Sequence, residues 1–248
     1  MRRLHSLSSA PALALLALLA AVSPAAAQGG KQPPDPRAPG LPADQRLKTL
    51  IDRVKLEQKK LRTLEARFVQ RQESSMLLQP EESQGTFSYS APDRVRWEYT
   101  VPNPISIVIQ GDQMTTWYRD LNRADKLKIG RYSNRVFEYL GAKGSMEQLK
   151  EYFTVYLHTP GKRGNPFKLR LDPRFARIKK RIKQMEIWID DSTYLPVRLR
   201  YVEADGDVTE YEFRDVKVNA QIPPERFVLK LPKGVQVRTI EVGRESKG

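Results

Sequence analysis

Catalysis needs a nucleophile, a base or a set of metal ligands, and this chain supplies few of them. It has no cysteine and two histidines, His5 and His158. His5 falls in an N-terminal segment expected to be removed, which leaves His158 alone, and a lone histidine most often serves structure. No H-E-x-x-H, G-x-S-x-G or Gly-rich phosphate loop occurs. Asp190 and Asp191 could be imagined as an acid and a base. Ser192 and Thr193 follow them directly, however, and that is the composition of a turn. A triad lacks its base, no metal set is in view, and no cofactor is expected. The residues argue against an enzyme.

The chemistry that the spacing does offer is apolar binding. Between Gly85 and Ile109, Phe87 and Tyr89 alternate with Thr86, Ser88 and Ser90. Val95, Trp97, Tyr99 and Val101 alternate with Arg94, Arg96, Glu98 and Thr100, and Ile105, Ile107 and Ile109 continue the series. A period of two means strands with one apolar and one wet face. Neighbouring strands of this kind pool their large side chains into a single greasy surface.

The elements that would position this surface can be read along the chain. Arg2 and Arg3, the Ala/Leu-rich run from Ala10 to Val22 and Ala25-Ala26-Ala27 have the form of a secretory signal peptide, assigned to residues 1–27. The mature product is expected in the periplasm. Without cysteine there is no lipobox for a lipid anchor. Residues 28–42, rich in proline and glycine, read as a disordered leader, and 43–248 as a single domain. Asp44 is placed to cap a helix carrying Leu47, Leu50, Ile51, Val54, Leu61 and Leu64 at helical spacing. Strands follow near 66–73, 85–90, 95–101, 105–109 and 114–119, with Gly111-Asp112 as a turn. Residues 131–157 break the pattern. Val136, Phe137 and Leu140 suit a short helix, and Ser145-Met146-Glu147-Gln148 has capping-box form and opens a second helix with Met146, Leu149, Phe153 and Tyr156. Strands resume near 168–172, 182–190, 197–202, 208–218 and 228–231. The sum is mainly β with some α, a large antiparallel meander. Two or three helices cover only part of so large a face, which points to a concave half-barrel with a partly filled interior.

Formal net charge is +14, and loss of Arg2 and Arg3 takes it to +12. Such an excess favours anionic partners. Nucleic acid is not among those expected, because the basic residues are scattered along strands rather than interleaved with stacking aromatics. The densest run is Arg174, Arg177, Lys179, Lys180, Arg181 and Lys183, whose hairpin position suits contact with anionic headgroups or acidic partner loops.

Taken in order, the motifs resemble the periplasmic lipoprotein carrier family LolA. A helix leads into Phe68-Val69-Gln70; Gly85 sits in a short strand; a proline precedes Arg96-Trp97-Glu98-Tyr99. Pro102, the apolar strand to Gly111 and Trp117-Tyr118 follow. The second half brings Leu171-x-Pro173, Ile187-Trp188-Ile189-Asp190, Leu195-Pro196, Asp205-Gly206 with Thr209 and Phe213, Asn219, and Phe227 with Pro232-x-Gly234-Val235. The series spans Leu47 to Val237.

The resemblance implies an unclosed antiparallel β half-barrel lidded by helices, whose cavity holds the acyl chains of a lipoprotein, received from an inner-membrane ABC transporter and delivered to an outer-membrane receptor or membrane surface. It implies that Val95, Trp97 and Tyr99 line the cavity with Phe87, Tyr89 and Ile107. Phe68, Ile105, Ile109, Ile187, Ile189, Leu199 and Tyr201 complete the lipid-binding candidates. Val136, Phe137, Leu140, Met146, Leu149 and Phe153 would form the lid, and the carrier would act as a monomer. A relative of the same fold could instead carry phospholipid or glycolipid, or sense lipids in the envelope. Ala91 stands where the family commonly has an arginine that helps hold the lid; Arg94 and Arg96 are the arginines nearby. The energetics suit a carrier, since each methylene removed from water is worth about 0.8 kcal/mol and a sixteen-carbon chain roughly 12 kcal/mol.

Overall fold

The computed structural model describes residues 33–129, 146–158 and 161–240. Helix α1 (Ala43–Lys60) turns Leu50, Ile51 and Val54 into the core and its charged residues outward. Its N-cap position is Pro42, so Asp44 acts from the first turn, where an acid complements the helix dipole, and not as the cap. The helix ends before Leu61. Asn219, with φ of 56°, donates from Nδ2 to the last helical carbonyl, that of Lys60, and accepts the Arg62 N–H on Oδ1 at 2.6 Å. Leu64, at helical spacing in sequence, therefore belongs to the first strand.

Twelve strands follow: β1 (Thr63–Glu73), β2 (Glu81–Ser90), β3 (Arg94–Val101), β4 (Ile105–Gln110), β5 (Gln113–Tyr118), β6 (Arg123–Lys128), β7 (Phe153–Leu157), β8 (Phe167–Pro173), β9 (Ile182–Ile189), β10 (Pro196–Glu203), β11 (Val208–Val218) and β12 (Gln236–Ile240). They form one unclosed sheet in the order β12-β6-β5-β4-β3-β2-β1-β11-β10-β9-β8-β7. Among the described residues, two short helices, α2 (Met146–Tyr152) and α3 (Ala176–Lys179), and a 3-10 turn at Pro224–Phe227 accompany them.

Five expectations change. The antiparallel meander has one parallel edge, where β12 runs alongside β6. Residues 228–231 are not a strand. They belong to a strap that leaves β11, buries Phe227 against the outside of β3 and β4, and reaches β6 to form β12. β6 goes unread because Arg-Ala-Asp-Lys-Leu-Lys shows no apolar alternation. The helix opened by Met146 stops at Tyr152, and Phe153 and Tyr156 continue as strand β7, where pairing with β8 overrides helical spacing.

The fifth concerns the segment before α1. Residues 33–42, part of the stretch read as a disordered leader, are packed onto the body of the protein. The Arg37 guanidinium lies 3.9 Å over the Phe167 ring, donates to the Gly161 and Asn165 carbonyls at 3.0 and 2.6 Å, and pairs with Asp191 at 3.3 Å. One cation with this many partners offsets the entropy of ordering a proline-rich stretch.

Candidate functional site: the inner face of the sheet

Ladder register decides which side chains share a face, because residues directly opposite point the same way. Ile107 lies opposite Trp97, Trp97 opposite Phe87 and Phe87 opposite Ala66. Across β1 the row continues with Phe68 opposite Phe213, then Tyr211 opposite Leu199, Leu199 opposite Ile187, and Ile187 opposite Leu169. This is one continuous apolar surface from β4 to β8, with α1 packed on the same side through Leu50, Ile51 and Val54.

The lipid-binding candidates are brought together on this inner face. Phe68, Phe87, Tyr89, Val95, Trp97, Ile109, Ile187, Ile189, Leu199 and Tyr201 are buried in one cluster, against which half-buried Tyr99 and Ile107 pack; Ile105 shares their parity on β4. At the centre, Trp97 lies 4.6 Å from Phe68 and 4.8 Å from Phe87 between ring centroids, with Tyr211 and Phe213 edge-on at 6.0 and 6.1 Å. Gly85 makes this possible. A Cβ there would lie 1.9 Å from the Glu98 carbonyl oxygen and 2.8 Å from the Phe68 ring, which covers the glycine. Sequence reasoning omitted Tyr211, Phe213, Phe167, Leu169, Leu171 and Met185 from the site, although Thr209, Tyr211 and Phe213 show the same period of two.

Few polar groups reach this face. The Tyr99 hydroxyl donates to Gln70 Oε1 at 2.8 Å, and burial pushes the Tyr99 phenol up to about 12. Burial likewise raises Tyr201 and Tyr211, so all three stay neutral. Trp97 Nε1 is buried and, among the described residues, has no hydrogen-bond partner within normal distance. At the far end, Arg123 and Asp125 pair at 3.2 Å, and Arg123 lies 4.7 Å over Tyr118. By register these residues share the inner side with Met114, Thr116 and Leu127, so the face ends in a polar margin that was not expected.

Of the lid candidates, Val136, Phe137 and Leu140 lie outside the described residues. Met146 opens α2 and Leu149 packs half-buried against the core cluster. Phe153 is not a lid residue: it is a buried strand residue of β7, opposite Pro173. Arg94 and Arg96 alternate with Val95 and Trp97 and sit on the outer face. Arg96 pairs with Glu98 at 2.6 Å, and Arg94 lies 5.5 Å from the Phe227 ring. Neither reaches the inner side.

The other candidates resolve simply. Asp190 is a turn residue whose Oδ1 accepts from the backbone and hydroxyl groups of Ser192 and Thr193 at 2.6–3.0 Å. Burial alone would raise its carboxyl, but these four donors hold it below the ordinary range. Asp191 accepts from Gly164 N–H and pairs with Arg37 in a polar cleft also lined by Asp35, Arg53, Arg163 and Tyr194. The basic run occupies the β8–β9 hairpin around α3, with its cations exposed. Among the described residues, no group of histidine, aspartate and glutamate could hold a metal.

The family model described as outer membrane lipoprotein carrier protein LolA matches residues 59–230, from the end of α1 to the strap. The outer-membrane lipoprotein carrier protein of Alkalilimnicola ehrlichii is 30% identical over 184 residues, covering 73% of this chain and 78% of that protein. Its counterpart in Chromobacterium violaceum is 27% identical over 165 residues, covering 63% and 72%. A solved LolA superfamily protein from Nitrosomonas europaea superposes with a TM-score of 0.37 at 9% identity, covering 73% of this chain and 97% of that one.

Proposed function

The chain belongs to the LolA family of outer-membrane lipoprotein carriers, and from that premise we propose that its inner face takes up the acyl chains of lipoproteins in the periplasm. It receives them from an inner-membrane ABC transporter and releases them at the outer membrane. Residues 1–27 direct export and are removed. The observation that carries this reading is the row Ile107–Trp97–Phe87 and its continuation through Phe68, Phe213, Tyr211, Leu199, Ile187 and Leu169. Acyl chains offer no hydrogen bonds, so a face of rings and branched aliphatics with few donors matches them, and it can yield them again because nothing polar must be broken. An enzyme needs reactive groups that converge on one point, and the apolar centre of this face holds no such set.

One observation favours a second reading. The resemblance implies an arginine where Ala91 stands, and the nearby Arg94 and Arg96 are committed to the outer face. Cargo of a different headgroup, phospholipid or glycolipid, fits a carrier altered at that point. Purification of the protein from its native periplasm, followed by mass spectrometry of what co-elutes, separates the two. Triacylated peptides are expected; phospholipid or glycolipid alone would transfer the assignment to the second reading, and an empty protein would remove both.

A further inference from the structure

Charge is handled in two ways on this molecule. On the outer face of the sheet most cations have acids beside them: Arg96 and Arg119 meet Glu98, Lys168 and Arg200 meet Glu186, Arg198 meets Glu210, and Arg214 meets Glu212. In the β8–β9 hairpin they do not. Arg174, Arg177, Lys179, Lys180, Arg181 and Lys183 are all exposed, no acid occurs between Asp172 and Glu186, and none of the six forms an ion pair among the described residues. Phe175 stands among them 51% exposed, edge-on to Tyr152 at 6.3 Å.

The hairpin is held in place. The Arg174 N–H donates to the Tyr152 carbonyl at 2.9 Å and its guanidinium to the Lys150 carbonyl at 3.1 Å, while Ala204 N–H donates to the Arg181 carbonyl at 3.0 Å. Ile178 packs half-buried against the core. The short turn of α3 thus presents its cations outward from a fixed base.

We propose that this hairpin docks the protein on an anionic lipid surface, with its cations among the headgroup phosphates and Phe175 at the boundary with the acyl region. An acidic protein would be recognised by donors arranged for particular carboxylates. Here long side chains radiate from one turn around a single exposed ring, which suits a fluid anionic surface: basic clusters gain from it collectively, and aromatic rings settle at headgroup depth. The inference goes beyond the cargo reading and does not depend on it, since the test uses no cargo.

The test is co-sedimentation of the exported protein with vesicles of phosphatidylcholine containing about one third phosphatidylglycerol, compared with pure phosphatidylcholine, at about 0.05 and 0.5 M salt, which bracket strong and weak screening. Wild type should pellet with anionic vesicles at low salt and be released at high salt. Arg177→Gln/Lys179→Gln/Lys180→Gln should bind on the order of a hundredfold more weakly, about fivefold per cation at roughly 1 kcal/mol each. Phe175→Ser should weaken the low-salt binding while leaving its salt dependence in place. All four positions are exposed, so the variants should fold, which circular dichroism melts are used to check. Failure of wild type to bind anionic vesicles, equal binding to neutral vesicles, or unchanged binding by the triple variant would overturn the proposal; capture by an acidic protein without vesicle binding would do so too.

Discussion

The two faces of the one sheet are made by alternate residues of the same strands, yet they obey different chemistry. In β3, Val95, Trp97 and Tyr99 point inward into a cluster of rings, while Arg94, Arg96 and Glu98 point outward into ion pairs and under the strap. In β9, Ile187 and Ile189 are fully buried inside, and Trp188 lies outside between Lys168 and Arg198, at 4.9 and 4.6 Å. The outer face sets most of its charged groups beside partners of opposite charge built into the chain. The inner face is rings and aliphatics with a few neutral hydroxyls from β4 to β8, and it turns polar at the Arg123–Asp125 pair on β6. A carrier needs that division, because one face must keep the protein soluble while the other remains indifferent to the details of its ligand.

Substitutions can test how sharp the division is. The largest effect on stability is expected for Gly85→Ala, where the new methyl must displace the Glu98 carbonyl and the Phe68 ring together. A loss of about 3 kcal/mol or more, read as a lower urea midpoint, follows from overpacking against backbone. A midpoint like that of wild type would mean that the inner face yields easily at this point.

Glu98 shows that the outer face has a buried node of its own. Burial alone would raise its carboxyl, but hydrogen bonds from Arg119, Arg96 and Ser106 hold it below the ordinary carboxylate value. A folded-state value below the unfolded one contributes stability that is present above the unfolded pKa and is lost as pH falls through the folded pKa. Glu98→Gln should therefore be less stable than wild type at pH 7, and the gap should narrow below about pH 4.5, the ordinary glutamate value. Urea midpoints at both pH values measure this; a gap independent of pH would remove the charge from the explanation.

The smallest effect belongs to the exposed pair Arg71 and Glu73, 3.3 Å apart with side chains 56% and 51% exposed. Arg71→Ala should change stability by no more than about 0.5 kcal/mol, since exposed pairs are screened and their side chains give up entropy. A larger loss would show that the outer face contributes more than solubility.

The parts legible in the sequence were those whose signal is local. Alternation marked β2 to β5 and β8 to β11 because one face of each is buried, and Asp190 to Thr193 announced its turn through its own side chains. β6 and β12 escaped because neither shows apolar alternation at that end of the sheet: Leu127 is the only large apolar residue of β6, and every residue of the edge strand β12 is exposed. β7 was misread because Met146, Leu149, Phe153 and Tyr156 fall at helical spacing, whereas the deciding contact, Val155 opposite Leu171, is with the next strand and lies outside any local pattern. The anchoring of residues 33–42 rests on Arg37 meeting carbonyls at 161 and 165, which no local pattern reveals. Within the candidate site, parity gave the face, but membership of Tyr211 and Phe213 required knowing that β11 lies beside β1.

The central claim is that acyl chains meet the inner face, and the tryptophans report on it directly. Trp97 lies at its centre, while Trp188 stands on the outer face between two cations. Two variants, Trp117→Phe/Trp188→Phe and Trp97→Phe/Trp117→Phe, each keep one emitter, and a fatty acid brominated along its chain quenches only rings that it touches. With saturating ligand, emission from Trp97 should be strongly quenched and emission from Trp188 left unchanged. Equal quenching of the two, quenching of Trp188 alone, or none at either ring would contradict the account.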